Sequence, residues 1–184
     1  MIRIGYFSEK KISHEETYQV EPKGEGAAPP PARQLRSMPP RQSVPYETPV
    51  TFRGIVCAWQ VDHMGHMNVQ HYATMFDQAS WVTCALLGLD SAYFRENRRA
   101  MAALEQTVMY KKELYAGDAV EIRSSILEVN NKTIRMMHEM LTLGGSVAAR
   151  TMIVALHMDA EARKGTALPA TTHSRAMALM QQTA

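Results

Sequence analysis

Cysteine and long apolar segments are scarce in this sequence. Its 184 residues include two cysteines, Cys57 and Cys84, which are too few for a disulfide framework and match no metal-ligand spacing. No apolar run approaches the roughly 20 residues of a membrane-spanning helix, and the N-terminus lacks the continuous apolar stretch of a secretory signal. These absences predict a cytoplasmic protein with no membrane partner and no redox role.

An excess of charge of one sign is also absent from the central region. Between Thr51 and Met158, ten Lys and Arg residues balance ten Asp and Glu residues, so the net charge of +2 belongs to the two ends of the chain. Binding to a phosphate backbone needs a concentrated positive face. We therefore expect no nucleic-acid partner.

Proline is missing from the same region. Eight of the nine prolines precede Thr51 and the ninth is Pro169, so residues between them can form unbroken backbone hydrogen bonds. We predict a proline-rich, disordered leader over residues 1–49, a folded domain over 50–158 and a C-terminal tail over 159–184. The leader has two alternative interpretations, as a peptide ligand for a partner domain or, if translation starts at Met38, as largely untranslated sequence.

The spacing of apolar residues within the domain predicts a strand, a long helix and four more strands. Residues 50–58 read as a strand and are followed by a turn-rich segment at 60–68. Apolar residues recur at helical spacing over 69–87, with Asn68 suited to cap this helix and Gly88 suited to end it. The later strands are expected at 101–114, 119–129, 133–143 and 146–158.

Short joints connect these later strands. Gly117-Asp118, Asn130-Asn131 and Gly144-Gly145 all contain residues that tolerate positive φ, which predicts that each strand pairs with the next in an antiparallel β-meander. Alternation of apolar and polar residues indicates that one face of the sheet is buried. The predicted fold is α+β, with an antiparallel sheet wrapped around one long central helix.

A motif lies between the first strand and the helix, with the pattern Asp62-x-x-Gly65-His66-x-Asn68-x-x-x-Tyr72. This pattern, in this place and with a later Gly117-Asp118 turn, resembles the hotdog-fold acyl-CoA thioesterases of the 4-hydroxybenzoyl-CoA thioesterase type over roughly residues 51–158. The resemblance implies an acyl-CoA substrate, no cofactor apart from the CoA of the substrate, and a homodimer or homotetramer with its sites at the subunit seam.

The motif also supplies the groups that thioester hydrolysis requires. Asp62 offers a carboxylate that can attack the acyl carbon or activate water, and the first N–H groups of the helix can stabilise the oxyanion. A thiol with a pKa near ~8.5 leaves as thiolate without strong protonation, so one carboxylate and an oxyanion site can suffice. The sequence contains no GxSxG, which argues against the serine route of α/β-hydrolases.

Seven residues form the candidate site. The catalytic candidates are Asp62, His66 and Asn68, and the substrate-binding candidates are Gly65, Val69, Tyr72 and Glu105. Val69 stands where many relatives carry a second asparagine, so only its backbone N–H is available there. Structural roles are the alternatives: hydrogen bonds within the loop for Asp62 and His66, a helix cap for Asn68, a packed ring for Tyr72 and an exposed strand charge for Glu105.

Three other functions are less favoured alternatives to thioester hydrolysis. A metal site at His63, His66 and His71 is disfavoured because these residues lack the HExxH spacing and straddle a turn and a helix. A hotdog dehydratase or hydratase is disfavoured because Asp62 and His66 are one residue closer than the Asp-x4-His pattern of such enzymes. The third alternative is a non-catalytic module that binds acyl-CoA.

Two features bear on the substrate. The pairs Arg98-Arg99 and Lys111-Lys112 are candidates for contacts with the CoA phosphates. The segment 65–68 followed by Phe76-Asp77 is similar to thioesterases linked to carnitine breakdown, which implies a short or betaine-type acyl group.

Overall fold

The computed structural model describes residues 2–6 and 48–182. These ranges contain seven strands, one 3-10 turn and three helices, in this order: β1 (Ile2–Tyr6), β2 (Val50–Ile55), the 3-10 turn (Ala58–Gln60), α1 (Val69–Leu86), α2 (Ser91–Asn97), β3 (Arg99–Tyr110), β4 (Ala119–Val129), β5 (Thr133–Thr142), β6 (Val147–Asp159), β7 (Lys164–Gly165) and α3 (Ala170–Gln182). The predicted leader falls outside the described residues except for β1 and residues 48–49.

The seven strands form one sheet with the order β1-β3-β6-β5-β4-β2, and β7 pairs with β6. All pairs are antiparallel except β1 with β3, where Ile2–Tyr6 runs parallel to residues 106–110. Alternate residues of the central strands, such as Ile122 and Met140, are fully buried with α1 in the main core. The predicted α+β hotdog fold, a curled antiparallel sheet around a long helix, is confirmed.

The predicted β-meander is wrong at its first joint. β3 pairs with β6 rather than with β4, and β4 lies between β5 and β2. β3 ends at Tyr110 instead of residue 114, so the connection to β4 is long enough to cross the fold. This connection is held against the end of β2, because the Gly117 N–H donates to Val56 O and the Val56 N–H donates to Asp118 O.

Helix α1 packs one face against the sheet, and the helix ends at Leu86, one residue before the predicted end. Its buried residues are Tyr72, Met75, Phe76, Ala79, Thr83 and Cys84. The helix contacts β2, β4 and β5, so it covers the β2 side of the sheet more closely than the β3 side. Asp90 caps the short helix α2, which the sequence analysis did not predict.

A polar chain of side chains crosses this core at His138. Its Nε2 lies 3.0 Å from Ser80 Oγ of α1, and its Nδ1 lies 2.6 Å from Ser124 Oγ of β4. Ser124 Oγ in turn lies 2.5 Å from Thr51 Oγ1 of β2. Burial lowers the pKa of His138 to about 3, so the imidazole is neutral in the folded protein.

The C-terminal segment 159–184, assigned to a tail from the sequence, contains β7 and α3. Leu168 and Ala176 are buried in a second core cluster with Leu87 and Leu89 at the far end of α1. The described part of this segment therefore packs on the domain. None of the helices in residues 48–182 has the length and apolarity needed to cross a bilayer.

Candidate active site

A tight loop between the 3-10 turn and α1 contains most of the predicted site. The Asp62 N–H donates to His66 O at 3.1 Å and the Gly65 N–H donates to Asp62 O at 2.9 Å, which closes the loop on itself. Gly65 has φ +82°, a conformation that side-chain-bearing residues rarely adopt. The Met67 N–H then donates to Leu114 O at 2.7 Å and attaches the loop to the segment after β3.

The Asp62 carboxylate accepts two hydrogen bonds, one on each oxygen. Oδ1 accepts from the Met64 N–H at 2.9 Å, and Oδ2 accepts from the Asn68 side-chain amide at 2.8 Å. These two bonds, with a smaller contribution from the nearby His66 and His63, lower the pKa of Asp62. The carboxylate is partly exposed and has no ion-pair partner in the described structure, so it is ionised and accessible.

Asn68 joins this carboxylate to the helix. Its Oδ1 accepts from the Gln70 N–H at 3.1 Å, as expected of an N-cap, while its Nδ2 donates to Asp62. Val69 is the first residue of α1, so its N–H has no acceptor within the helix, and no other described residue accepts from it. The first free N–H at the positive end of the helix dipole thus belongs to the residue that follows Asn68, whose side chain binds the ionised carboxylate.

His66 faces a second acidic group. Its Nε2 lies 3.8 Å from Glu113 Oε1, and its Nδ1 lies 3.5 Å from Met67 O. His71 stacks edge-on against Trp59, with ring centroids 5.2 Å apart. The described residues include no group of three or more His, Cys, Asp or Glu side chains that could hold a metal ion.

Tyr72 and Glu105 lie apart from the loop chemistry. The Tyr72 ring is buried against Tyr110, with centroids 5.1 Å apart, and its hydroxyl donates to Lys112 O at 3.4 Å. These are the contacts of a packed core residue. Glu105 is exposed on β3, and no hydrogen bond or ion pair of the described structure joins it to the Asp62 loop. The substrate-binding roles assigned to both residues remain predictions.

The two basic pairs differ in their surroundings. Arg98 and Arg99 form ion pairs with Glu161 and Asp159, at 2.8 Å and 2.5 Å. Lys111-Lys112 is exposed and lies in the segment that contacts the Asp62 loop. Only the lysine pair therefore combines nearness to Asp62 with charges that no described acid neutralises.

A cavity of about 110 Å³ lies further along α1, between the helix and strands β3, β5 and β6. Its lining includes Asp77, Trp81 and Cys84 from the helix, Met101 and Gln106 from β3, and Ile153 from β6. Among the described lining residues Asp77 is the only charged one. From the sequence, Asp77 is named only in the Phe76-Asp77 pair of the family resemblance and not as a site residue, because it reads as a residue on the polar side of the helix until β3 is placed opposite.

A protein-family model matches most of this domain. The model of the thioesterase-like superfamily matches residues 56–176, which is most of the described domain. The chain belongs to this superfamily. The match starts just before the Asp62 loop and runs into α3, so it includes the segment after residue 158 that the sequence analysis left outside the resemblance.

Two curated relatives of the superfamily have assigned activities. The L-carnitine dehydrogenase/betainyl-CoA thioesterase of Agrobacterium fabrum is 27% identical over 109 residues, which cover 59% of this chain and 22% of that protein. The betainyl-CoA thioesterase of Pseudomonas aeruginosa is 29% identical over 115 residues, covering 62% of this chain and 69% of that protein. The chain thus spans about a fifth of the first relative's length. Both names confirm the prediction of a thioester hydrolase family.

Solved structures of other proteins share the fold. The Staphylococcus aureus protein SAV2348, solved in complex with CoA, has a TM-score of 0.70 and 17% identity, covering 74% of this chain and 87% of that one. The DHNA-CoA thioesterase of Staphylococcus aureus has a TM-score of 0.64 and 18% identity, covering 71% and 92%. At these identities the likeness supports the hotdog fold alone.

Proposed function

We propose that this protein hydrolyses an acyl-CoA thioester to a free acid and CoA, with Asp62 as general base or nucleophile. The observation that carries the proposal is that Asn68 connects an ionised, accessible Asp62 carboxylate to the start of α1, where the Val69 N–H is free. The carboxylate provides the attack on the acyl carbon, directly or through water. The N–H provides a donor for the oxygen that becomes negative.

The steps of the reaction balance without another reactant. As nucleophile, the carboxylate adds to the thioester carbon to form an oxyanion. The oxyanion collapses as the CoA thiolate departs, and water then hydrolyses the mixed anhydride that remains. As general base, Asp62 takes a proton from water as the water oxygen adds to the same carbon. The oxyanion then collapses, the C–S bond breaks, and the CoA thiolate leaves while Asp62 gives up its proton to the thiolate or to solvent. Because the thiolate is a good leaving group, we expect no metal or cofactor to be required.

Asn68 and His66 have supporting roles in this proposal. Asn68 positions the carboxylate with its amide while it caps the helix that supplies the oxyanion donor. His66 lies on the same loop beside Glu113, where it can contact the thioester. Lys111-Lys112 is the proposed contact for the CoA phosphates, since the charged lysine ammonium group binds phosphate oxygens.

We also propose that the working enzyme is a homo-oligomer in the cytoplasm. Asp62 lines neither of two cavities along α1, and its side chain is partly exposed in a single chain. Residues 99–105 of the β3 edge have no partner strand on their outer side in the described structure, and exposed Leu104 lies on this edge. A second copy on this edge covers the unpaired backbone and can close the site.

For the acyl group, a betainyl group is the first candidate, because both curated relatives are named for betainyl-CoA hydrolysis. The test is a panel of acyl-CoAs that contains betainyl-CoA, acetyl-CoA, an aromatic acyl-CoA and an enoyl-CoA, followed by release of free thiol. Asp62→Asn is expected to lower kcat about 10²- to 10⁴-fold, which is the usual contribution of a general base.

Glu96→Gln is the matched control, since it also replaces an acid by its amide, on the exposed surface of α2. It is expected to keep wild-type activity. Thiol release that survives Asp62→Asn contradicts the role of Asp62. Binding of acyl-CoA without thiol release contradicts hydrolysis and favours a binding module, whereas loss of enoyl absorbance favours a hydratase. In a single turnover in ¹⁸O-water, label in Asp62 identifies nucleophilic attack, because it enters when water attacks the Asp62 carbonyl of the mixed anhydride.

A further inference from the structure

We infer that the cavity beside Asp77 is the subsite for a quaternary ammonium group at the end of the acyl chain, with Asp77 as its counter-ion and Trp81 as its aromatic wall. The inference rests on the proposed function and assigns specificity-determining residues to it. In the assembled enzyme this subsite serves the Asp62 of a second copy.

The first argument is that Asp77 is an exposed acid in the lining of this cavity, and no side chain of the described structure pairs with it. In the described structure no cation and no hydrogen-bond donor contacts the Asp77 carboxylate. The other lining residues are apolar or neutral, so only solvent compensates the charge of this exposed carboxylate. The carboxylate also acts inside the cavity, because together with burial it raises the pKa of the Cys84 thiol to about 12. A cationic ligand is the species that this environment stabilises.

The second argument is the shape and chemistry of the walls. Asp77 and Trp81 are one helical turn apart, so their side chains are neighbours on the same face of α1. Trp81 is 47% exposed, and its ring is fixed edge-on against Phe94 at a centroid distance of 5.8 Å. Tryptophan is the best aromatic partner for a cation, and methylated ammonium groups are characteristic ligands of such walls.

The size and polarity of the cavity favour a quaternary ammonium group over other cations. An apolar cavity of about 150 Å³ accommodates benzene. The cavity here, at about 110 Å³, accommodates a somewhat smaller group such as trimethylammonium. Apart from the Asp77 carboxylate and the Gln106 amide, its lining of Met101, Ile153 and other apolar side chains offers few acceptors for N–H donors. The Ser80 hydroxyl is already engaged, since it donates to Phe76 O. A permanently charged group without N–H bonds therefore fits better than a primary amine.

Distance along the helix decides which Asp62 the subsite serves. Asp77 is nine residues beyond Asn68, which is about 13.5 Å along the axis of α1. In a betainyl group the nitrogen is two bonds, or about 2.5 Å, from the thioester carbon. One chain therefore cannot bind both ends of a betainyl thioester. The cavity opens beside the unpaired β3 edge, where a second copy can bring its own Asp62 loop.

The direct test measures binding without catalysis. In a Trp59→Phe background Trp81 is the only tryptophan of the chain, and its fluorescence is titrated with tetramethylammonium chloride. The neutral probe tert-butanol, of similar shape, and sodium chloride are the controls. We expect a saturable change with tetramethylammonium alone, lost in Asp77→Asn and kept in Glu96→Gln. An unsaturable change, or one that tert-butanol reproduces, overturns the subsite.

The kinetic test compares betainyl-CoA with 3,3-dimethylbutyryl-CoA, in which carbon replaces the charged nitrogen. Asp77→Asn is expected to lower kcat/KM for betainyl-CoA at least tenfold and to change that for the neutral analogue less than threefold. Trp81→Leu is expected to act in the same direction, with Trp81→Phe retaining part of the preference. Equal effects on both substrates overturn the subsite but leave hydrolysis intact, whereas absence of thiol release with every substrate contradicts the proposed function.

Mixed oligomers test the assignment to a second copy. Asp62→Asn and Asp77→Asn chains are co-expressed with different tags, and the hetero-oligomer is purified. If each site combines Asp62 of one chain with Asp77 of another, one site of a mixed dimer has both residues, and betainyl-CoA hydrolysis rises to about half of the wild-type value. A hetero-oligomer no more active than the mean of its two parents shows that the site is not shared and overturns this part of the inference.

Discussion

Asn68 donates its side-chain amide to Asp62 Oδ2 at 2.8 Å while its own Oδ1 accepts from the Gln70 N–H at 3.1 Å. One side chain therefore both orients the proposed catalytic carboxylate and caps the helix that supplies the oxyanion donor. The two roles can be separated, because serine is as good an N-cap as asparagine but its hydroxyl is too short to reproduce the amide contact.

We predict that Asn68→Ser lowers kcat about tenfold and changes the free energy of unfolding by less than about 0.5 kcal/mol, whereas Asn68→Ala also destabilises the protein by about 1 kcal/mol. Urea unfolding and thiol release with the best acyl-CoA measure both effects. A purely structural role for Asn68 gives the opposite result, with the activity of Asn68→Ser unchanged at saturating substrate.

The hydrogen bonds to Asp62 also predict the acidic limb of the pH profile. Because the Met64 N–H and the Asn68 amide lower the pKa of Asp62 below its usual 3.8, the carboxylate stays ionised down to more acidic pH, and kcat/KM is lost only as the pH falls through that lowered pKa. We therefore expect kcat/KM to stay constant as the pH falls from about 7 to about 5.

Asn68→Asp is the informative variant for this limb. It keeps a good N-cap but places a second carboxylate against Asp62, which raises the pKa of the pair. We expect the acidic limb of kcat/KM to move to higher pH in this variant, measured by initial rates after brief exposure to each pH. A limb at the same pH in both proteins contradicts control of the Asp62 pKa by Asn68.

His138 predicts acid lability of the fold. Its pKa is about 3 in the folded protein, against about 6.5 in the unfolded chain, so the unfolded state binds more protons between these values. Stability contributed by the neutral imidazole is complete above about pH 6.5 and falls as the pH is lowered, by about 2 kcal/mol at pH 5. Urea unfolding between pH 7 and 5 measures this loss.

His138→Gln removes the titrating group, and we expect a much smaller dependence of stability on pH in this window. A smaller slope remains because burial also lowers the pKa of His157. His173→Gln on the exposed face of α3 is the control and should keep the full wild-type slope. The same slope in His138→Gln and wild type contradicts the assignment.

Local patterns predicted the elements of this fold better than their pairing. The helical spacing after Asn68 and the glycine joints fixed α1 and strands β4 to β6 within one or two residues. The pairing of β3 with β6 joins residues far apart in the chain, and no short sequence pattern in either strand predicts it. α3 was missed although Pro169 precedes it, a common place for proline at a helix start. Its burial against Leu87 depends on the tertiary structure.

The candidate site shows the same limit. The seven residues of the loop motif are close in sequence and make their contacts with each other, so the sequence could place Asp62, Gly65 and Asn68 in one site. Asp77 became a candidate only when β3 supplied the opposite wall of a cavity. Glu105, chosen because it interrupts an apolar strand, lies on an exposed position next to a β-bulge at Ala103, where a charge needs no partner.

The ion pair between Glu139 and Arg150 provides the last prediction. These side chains lie opposite each other on β5 and β6 and are 1% and 7% exposed. Removal of one partner leaves a buried charge, so Glu139→Gln is expected to destabilise the protein by about 3 kcal/mol or more. The double variant Glu139→Leu, Arg150→Met replaces both charges by apolar groups and should recover most of this loss.

Glu161→Gln, which breaks the exposed pair with Arg98, should cost less than about 1 kcal/mol. Urea unfolding decides, and a double variant as unstable as Glu139→Gln contradicts the argument.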